Sequence, residues 1–394
     1  MISRFLSLML LAASLCVFPV GRAATPAAAA APSAQARVFP TTPTLRPDGQ
    51  RWRIGYVESG DYGDYPLTLG EIVKGLQHLG WLKLKGTMPK EASGHDLWQW
   101  LAQNTDSKYL EFVADAWWQP GNFDASKREP MREAIAQRIK DRHDINLIIA
   151  MGTWAGQDMR KLGPPVPTIV ASTSDPVASG ISDSVKDSGR DNLQARIEPE
   201  RYQRQVRLFH EIVPFKKLGI VYENSEAGRT YGAVAAVEQV SRELGFTVQP
   251  CYAQSNSITT EQAVSNAVQC YKKLTEERVD AVYVTTHRGV TADSIKEIAK
   301  ILEQAKVPSF SMNGSKEVKS GILLSLAQAD LSYVGLFHAE SIARIFNGAK
   351  PRQLSQVWID PPKIALNLAT ARAIGFDPPV DILLAADEVY ETAP

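Results

Sequence analysis

The hydrophobic positions of the chain fall into two series of short apolar strands that alternate with amphipathic helices. In the first series, apolar runs predict strands at residues 53–57, 109–113, 145–150 and 168–171, with helices at 71–79 and 130–142. In the second series, the same criteria predict strands at residues 218–222, 246–251, 281–285, 308–311 and 322–326. Helices of the second series are predicted at residues 200–212, 229–244, 260–275, 292–304 and 333–346.

This alternation predicts an α/β protein with two doubly wound parallel-sheet lobes. Strands that are apolar on both faces require helices on both sides of the sheet, and the two series divide near Asn192. Ligands of such sheets bind beyond the carboxyl ends of the strands. Two lobes that face each other would therefore form one central ligand cleft from their strand-end loops.

The N-terminal 23 residues have the pattern of a secretory signal peptide. Arg4 precedes a mostly apolar stretch at residues 5–20, and small residues place the cleavage after Ala23, so we expect a periplasmic protein. An uncleaved anchor or a lipoprotein attached through Cys16 are the alternatives. Residues 24–50 are rich in proline and alanine without apolar periodicity, which predicts a disordered tether.

Two cysteines follow the predicted signal peptide, Cys251 and Cys270. An even pair in an oxidising compartment favours a disulfide between them. Two buried free thiols are the alternative.

Charge and motif content argue against several classes of function. The 43 basic and 43 acidic residues give a formal net charge of zero, without the basic excess typical of nucleic-acid-binding proteins. The motifs of dinucleotide binding, P-loop hydrolysis, α/β-hydrolases and zincins are missing from the sequence. The six histidines lack metal-ligand spacing, so we expect neither a cofactor nor a metal.

Small polar residues follow most of the predicted strands, where a ligand of this fold would bind. Hydroxyl and amide groups there, together with the N–H groups of a following helix, suit a carboxylate or another anion. Capping of the following helix by the same residue types is the alternative. The candidates are Thr153, Trp154, Ser172, Thr173, Ser174, Asp175, Glu223, Asn224, Thr285, Thr286 and Asn313.

Aromatic residues supply a second set of candidates. Seven of the eight tryptophans precede residue 160, and the pair Trp117 and Trp118 follows a predicted strand, as Trp154 does. An aromatic wall could stack against a flat or cationic ligand, and ordinary packing is the alternative.

Two stretches of the sequence resemble a known family. Thr153-Trp154-Ala155, followed by Ser174-Asp175-Pro176-Val177-Ala178-Ser179-Gly180, resembles the T-x-A and S/T-D-P-V-x-S-G patterns of ABC-transporter substrate-binding proteins of the TrpX-like family. The C-terminal run with Asn367, Gly375 and the segment 382–387 is similar to the end of that family. The resemblance extends over about residues 52–390.

The resemblance implies a type I periplasmic-binding fold with two lobes, three hinge crossings and capture of a small-molecule ligand by closure. It implies lobe one at residues 51–192 and 323–351, lobe two at 193–322 and 352–394, and delivery of the ligand to an ABC permease in the inner membrane. For an amino-acid ligand, Thr153, Ser172 and Thr173 would hold the carboxylate, and Asp330 or Glu223 would meet the ammonium group. We expect a monomer, since a closing cleft tolerates few constraints.

Three segments depart from the family pattern near the expected cleft mouth. The first strand-end loop, residues 58–65, is longer and acidic and adds Tyr62 to the possible aromatic wall with Trp117 and Trp118. Residues 85–107 look inserted, and residues 116–125 extend the second strand's loop. The ligand could therefore differ from an aromatic amino acid.

Two other functions remain open from the sequence. A ligand-sensing module that reports to a membrane receptor would have the same fold. An enzyme would require a nucleophile–base pair in the cleft, for which Asp175 and His287 are the candidates.

Overall fold

The computed structural model describes residues 38–328, 331–359 and 362–391. The strands are β1 Trp52–Glu58, β2 Lys83–Leu84, β3 Thr105–Asp106, β4 Leu110–Trp118, β5 Leu147–Met151, β6 Thr168–Ala171, β7 Leu193–Ala195, β8 Lys217–Tyr222, β9 Thr247–Tyr252, β10 Ala281–Val284, β11 Ser309–Ser311, β12 Leu324–Gln328, β13 Pro362–Asn367 and β14 Ala386–Tyr390. The helices are α1 Asp64–His78, α2 Gly94–Asn104, α3 Arg128–Arg142, α4 Thr153–Leu162, α5 Arg201–Ile212, α6 Glu226–Tyr231, α7 Val234–Leu244, α8 Thr260–Glu276, α9 Ser294–Gln304, α10 Ser315–Lys319, α11 Leu331–Phe346, α12 Leu368–Ile374 and α13 Val380–Ala385.

Lobe one is built on a parallel sheet with the strand order β4-β1-β5-β6-β7. Its central strand β5 is buried on both faces, as its continuous apolar sequence predicts. Leu147 and Ile149 pack with α1 and α11, whereas Ile148 and Ala150 pack with α3 and α4. Helices therefore cover both faces, which leaves the strand ends to form a site.

Lobe two is built on a second sheet with the strand order β14-β13-β12-β11-β10-β8-β9. Its strands are parallel except where β13 runs antiparallel to β12. Leu218 and Ile220 pack with α5 and α7 on one face, and Val282 packs with α8 and α9 on the other. The α/β fold with two parallel-sheet lobes, predicted from the alternation, is confirmed.

The chain crosses between the lobes after β7, after β12 and before β13. Two of these crossings pair with each other, because Ile197 N donates to Gln356 O at 2.7 Å and Trp358 N donates to Ile197 O at 3.1 Å. After the second crossing, α11 packs closely on α1 of lobe one. A Cβ on Gly335 would lie 2.4 Å from the Glu71 carbonyl carbon, so this helix pair requires glycine there.

Sheet membership differs from the predicted lobe bounds at two places. β7, which begins at Leu193, is the edge strand of the first sheet, and β12, which begins at Leu324, lies inside the second sheet. The alternation had placed the strand at residues 322–326 in the second series, in agreement with the position of β12 in the second sheet. β7 has only three residues and was not predicted as a strand, so the apolar pattern did not show that it belongs to the first sheet.

The predicted disordered tether is corrected for residues 39–50, which lie against lobe one. Trp52 Nε1 donates to Thr44 O at 2.8 Å and Trp81 Nε1 donates to Thr41 O at 2.9 Å. Phe39 is buried. Buried indole N–H groups need hydrogen-bond acceptors, and the backbone carbonyls of residues 39–50 supply them. The segment has no apolar periodicity of its own, so the apolar pattern did not predict this packing. Residues 1–37, with the predicted signal peptide and Cys16, lie outside the described residues.

The segment that looked inserted in the sequence forms α2, which covers the edge of the first sheet. Its Trp98 is fully buried and donates from Nε1 to Val113 O at 3.0 Å, while Gln99 Nε2 donates to Ala114 O at 3.0 Å. These bonds satisfy carbonyls of β4 where its register with β1 shifts. The insertion thus protects an edge strand.

In lobe two, a disulfide joins Cys251 of β9 to Cys270 of α8, with the Cα atoms 5.5 Å apart. No helix within the described ranges has the length and apolar character needed to cross a membrane.

Candidate functional site

The candidate site is a cavity between the two lobes, at the carboxyl ends of their parallel strands. Its volume of about 130 Å³ corresponds to space for roughly ten water molecules. That space suits a solute of amino-acid size. The described residues that line it are Tyr62, Asp64, Tyr65, Thr68, Phe123, Thr153, Ser172, Thr173, Ser174, Arg196, Arg201, Tyr202, Tyr231, Ser255, Asn256, Thr286, His287, Arg288, Asn313, Leu331 and Val334.

In lobe one, the turn from β5 into α4 brings Thr153 to the cavity at the start of a helix. Gly152 makes this turn with a φ of 94°, and a Cβ on it would lie 2.0 Å from Tyr65 Oη and 2.5 Å from Ser59 Oγ. Ser59 Oγ accepts the N–H of Ala155 at 3.2 Å. The first turn of α4 is thus held in place, with the positive end of its dipole towards the cavity.

The loop after β6 forms the second part of the lobe-one wall with Ser172, Thr173 and Ser174. Ser172 has a φ of 54°, which is uncommon for a residue with a side chain. Such conformations cluster at ligand-binding sites, where the surrounding structure holds them. The loop offers hydroxyl groups beside the start of α4.

In lobe two, Thr286 and Asn313 stand side by side, since Thr286 Oγ1 donates to Asn313 Oδ1 at 2.5 Å. Asn313 Nδ2 donates to Glu317 Oε1 at 2.9 Å, and Ser311 Oγ donates to Glu317 Oε2 at 2.6 Å. Burial raises the pKa of Glu317 to about 7, against the effect of these two hydrogen bonds. Both ends of the Asn313 amide are therefore oriented before any solute binds.

A second loop of lobe two, Ser255 and Asn256, is held by Glu223. Glu223 Oε2 accepts the N–H groups of Ser255 and Asn256, both at 2.7 Å, and the Ser255 hydroxyl at 2.9 Å. Burial raises the pKa of Glu223, but these hydrogen bonds outweigh it and the net shift is downward. Glu223 therefore acts on the cavity through the loop that it positions.

Aromatic and charged side chains complete the lining. The rings are Tyr62, Tyr65, Phe123, Tyr202 and Tyr231. The charged groups among the described lining residues are Asp64, Arg196, Arg201 and Arg288. Arg196 and Arg201 lie 3.4 and 3.9 Å from the carboxylate of Glu198, which stands outside the lining, so their positive charge is partly compensated.

The structure brings seven of the predicted site residues together on the cavity: Tyr62, Thr153, Ser172, Thr173, Ser174, Thr286 and Asn313. Other predicted residues stand outside the lining: Trp117, Trp118, Trp154, Asp175, Glu223, Asn224 and Thr285. Asp330 lies outside the described residues.

Several of the residues outside the lining have structural partners that explain their position. Asp175 Oδ1 accepts the N–H groups of Val177 and Ala178 at 3.0 and 2.9 Å, so it caps the turn that follows it, where the sequence alternative expected a helix. Thr285 Oγ1 donates to the carbonyl of Val221 and is fully buried.

The three tryptophans pack within lobe one. Trp117 lies against His95, Trp118 lies under the guanidinium of Arg138, and Trp154 lies edge-on to Phe123. β4 extends through Trp117 and Trp118, so this pair lies inside the strand and not after it as predicted. All three tryptophans serve packing, and Tyr62 is the member of the predicted wall that reaches the cavity.

Sequence reasoning missed several lining residues, which include residues after β9 and β10, residues near the first crossing, and residues of helices α1, α6 and α11. Ser255 and Asn256 follow β9 and Arg288 follows β10, so the strand-end rule applied further along each loop would have found them. His287, considered from the sequence as a cleft residue, also lines the cavity. Arg196 directly follows β7, a short strand that the apolar pattern did not predict, whereas Arg201 and Tyr202 come from the start of α5, where no strand ends.

The two residues considered for catalysis are held by hydrogen bonds to the backbone of nearby loops. His287 Nε2 lies 3.0 Å from Ala253 O, and its Nδ1 accepts the N–H of Gly289 at 2.9 Å. Burial lowers the pKa of His287, which favours the neutral ring. Asp175 caps its own loop, as described above. Within the described ranges, no cluster of three or more His, Cys, Asp or Glu side chains is placed to hold a metal ion.

Comparison with known proteins gives concordant results. The family model described as ABC transporter substrate binding protein matches residues 121–390. A tyrosine-binding protein from Clostridioides difficile strain R20291 is 23% identical over 248 residues, which cover 62% of this chain and 67% of that protein.

Two solved structures share the fold. An ABC domain in complex with L-Trp from Streptococcus pneumonia aligns with a TM-score of 0.65 at 20% identity, over 86% of this chain and 99% of that one. The ligand-free, open structure of a substrate-binding protein with adhesive properties from Clostridium difficile aligns with a TM-score of 0.56 at 19% identity, over 87% and 100%.

Proposed function

Because this chain belongs to the ABC transporter substrate-binding protein family, we propose that it captures a small aromatic amino acid, or a related aromatic carboxylate, between its lobes and delivers it to a membrane permease. In this role it is an exported, monomeric component of an ABC importer, with residues 1–23 as its signal peptide. The family is one of binding proteins, so the activity is binding and release.

The observation that carries the proposal is the composition of the cavity. The start of α4 at Thr153 and the Ser172 loop provide an anion site on lobe one. Thr286 and Asn313 face the same space from lobe two. Tyr62, Phe123, Tyr202 and Tyr231 surround it with rings that suit a flat side chain.

The ligands of two similar proteins support the same chemical class. One relative is a tyrosine-binding protein, and one structural neighbour is a complex with L-Trp. Asp64 is the described acid of the lining, and it would meet an ammonium group. The predicted role of Asp330 in the same task remains part of the proposal.

Closure of the lobes on the solute is the proposed mechanism. A solute that contacts both walls lowers the free energy of the closed state relative to the open state. The paired crossings at Ile197 and Val357 would form the hinge.

The proposal is tested with purified exported protein, stripped of ligand by partial unfolding and refolding. Unfolding midpoints and calorimetric titrations are recorded with aromatic amino acids, aliphatic amino acids, aromatic acids without an amino group, sugars and nucleosides. At a ligand concentration near 1,000 times Kd, stabilisation of about 4 kcal/mol is expected. Saturable binding of an aromatic amino acid or acid supports the proposal, and binding of only sugars or nucleosides contradicts it.

A further inference from the structure

The loop that carries Phe123 is fixed firmly to lobe one. Phe123 N donates to Ser59 O at 3.2 Å, and Asp61 N donates to Asn122 Oδ1 at 2.8 Å. Gly121, Asn122 and Phe123 all have left-handed backbones, with φ values of 59°, 58° and 64°. Such conformations are rare for a bulky residue and persist only where the surroundings impose them.

The Phe123 ring is fixed as well, and one side of it faces the cavity. The side chain is buried, and it lies edge-on to Trp154 with ring centroids 5.8 Å apart. A Cβ on Gly60 would lie 2.3 Å from the ring, so glycine there makes the space that the ring occupies. The ring therefore holds one position, against which a solute in the cavity would pack.

Lobe two reaches the same residue from the other side of the cavity. Ser257 N donates to Phe123 O at 3.3 Å, and the guanidinium carbon of Arg288 lies 5.6 Å from the centre of the Phe123 ring. Arg288 Nη1 also donates to Ser255 O at 3.0 Å and Ile258 O at 2.6 Å, which holds the loop that presents Ser257. Ser257 has a φ of 59°, so a left-handed residue stands on each side of the contact.

We propose that Phe123 is a latch residue that joins the lobes in the closed state and makes closure sensitive to an aromatic solute. Its carbonyl and ring receive Ser257 and Arg288 when the lobes meet, and its cavity side receives the ring of the solute. Both loops are preformed within their own lobes, so the latch engages without reordering either of them. This inference rests on the proposed function and adds the residue that couples solute recognition to closure.

The latch predicts a specific kinetic effect. Ser257 and Arg288 contact Phe123 only after the lobes approach, so loss of the ring should raise the dissociation rate and leave the association rate nearly unchanged. Loss of an aromatic pair contact should weaken binding about tenfold. The open state should also gain population in the ligand-free protein.

The test compares wild type, Phe123→Leu and the control Phe246→Leu. Phe246 is as buried as Phe123, with both side chains 6% exposed, but it packs in the core of lobe two against His210 and Phe215. Affinities and dissociation rates are measured with L-tyrosine and L-tryptophan. Small-angle X-ray scattering of the ligand-free proteins reports the radius of gyration, and unfolding midpoints verify that the variants fold.

We expect Phe123→Leu to bind about tenfold more weakly, to dissociate faster and to have a larger ligand-free radius of gyration, whereas Phe246→Leu keeps wild-type values of all three. Wild-type affinity and scattering in Phe123→Leu would overturn the latch. If the wild type binds neither amino acid, the proposed ligand class fails. The scattering comparison then decides the latch by itself, and identical ligand-free curves would overturn it.

Discussion

At Gly152 the backbone turns from the first sheet into α4 with a φ of 94°, against Tyr65 and Ser59. No other residue type satisfies both the dihedral angle and the contact. The position of Thr153 in the cavity depends on this turn, so a single glycine sets the position of the helix start that lines the cavity.

Gly152→Ala should lower the free energy of unfolding by more than about 2 kcal/mol, since backbone strain and a steric clash add. Gly163→Ala is the matched control, because Gly163 ends the same helix with a φ of 57° and has open space around it. Gly163→Ala should lower the free energy of unfolding by only about 1 kcal/mol. Urea unfolding measures both, and equal losses in the two variants would contradict the role of the contact.

Glu58, at the end of β1, is a buried acid whose effect on the free energy of unfolding depends on pH. Burial raises its pKa from 4.5 to about 7, although hydrogen bonds from Tyr56 and Gln119 act in the opposite direction. Below pH 4.5 the carboxyl group is protonated in both the folded and the unfolded states. As the pH rises from 4.5 to about 7, the unfolded chain ionises first, so the free energy of unfolding falls by roughly 3 kcal/mol.

Glu58→Gln should therefore be more stable relative to wild type at pH 8 than at pH 5. Chemical unfolding at the two pH values measures the difference between the proteins. Parallel pH profiles for the two proteins would show that Glu58 ionises normally in the folded state.

At the scale of elements, the strand β9 and the helix α8 form a disulfide-linked pair at the edge of the second sheet. β9 leads into Ser255 and Asn256, which line the cavity, and then to Ser257, which contacts Phe123. The bridge thus joins the elements on both sides of a loop that lines the cavity.

Reduction of the disulfide should lower the free energy of unfolding by about 3 kcal/mol, because the bridged residues are 19 apart in sequence. Denaturant unfolding with and without dithiothreitol measures the loss. The double variant Cys251→Ala, Cys270→Ala should show a similar loss and should not respond to the reductant. Coincident unfolding curves for the oxidised and reduced protein would refute the prediction.

At the scale of the whole molecule, several contacts join the two lobes around the cavity, and they would hold the closed state in the proposed mechanism. Besides the Phe123 contacts, Tyr202 Oη of lobe two donates to Ser174 O of lobe one at 3.1 Å. Lys316 and Asp64 lie 3.9 Å apart across the cleft, with the lysine largely exposed. An exposed ion pair contributes little free energy to the contact between the lobes. The partly buried hydrogen bond from Tyr202 to Ser174 should therefore contribute more to closure.

Tyr202→Phe should weaken solute binding about fivefold, because it removes one hydrogen bond made between the lobes. The control Tyr390→Phe removes a hydroxyl that bonds to Glu388 within one lobe, and its affinity should equal that of wild type. Calorimetric titration with an aromatic amino acid measures both. An unchanged affinity in Tyr202→Phe would remove this bond from the closure mechanism.

The sequence by itself determined the alternation of strands and helices, the α/β class, the two sheets and the family. These follow from local periodicity and from short motifs, which act over neighbouring residues. The loops after β5, β6, β10 and β11 were also predictable as cavity walls, because strand direction places their residues at one edge of each sheet.

Only the tertiary structure decided which polar residues face the cavity and which ones hold other residues in place. Glu223 and Ser255 illustrate this difference, since both follow strands. Ser255 lines the cavity, whereas the carboxylate of Glu223 stands outside the lining and binds the loop that carries Ser255. The role of Phe123 and Tyr202 depends on the approach of two lobes whose contacts join residues far apart in sequence. Side-chain direction and lobe approach are set by packing across the whole molecule, and no local pattern encodes them.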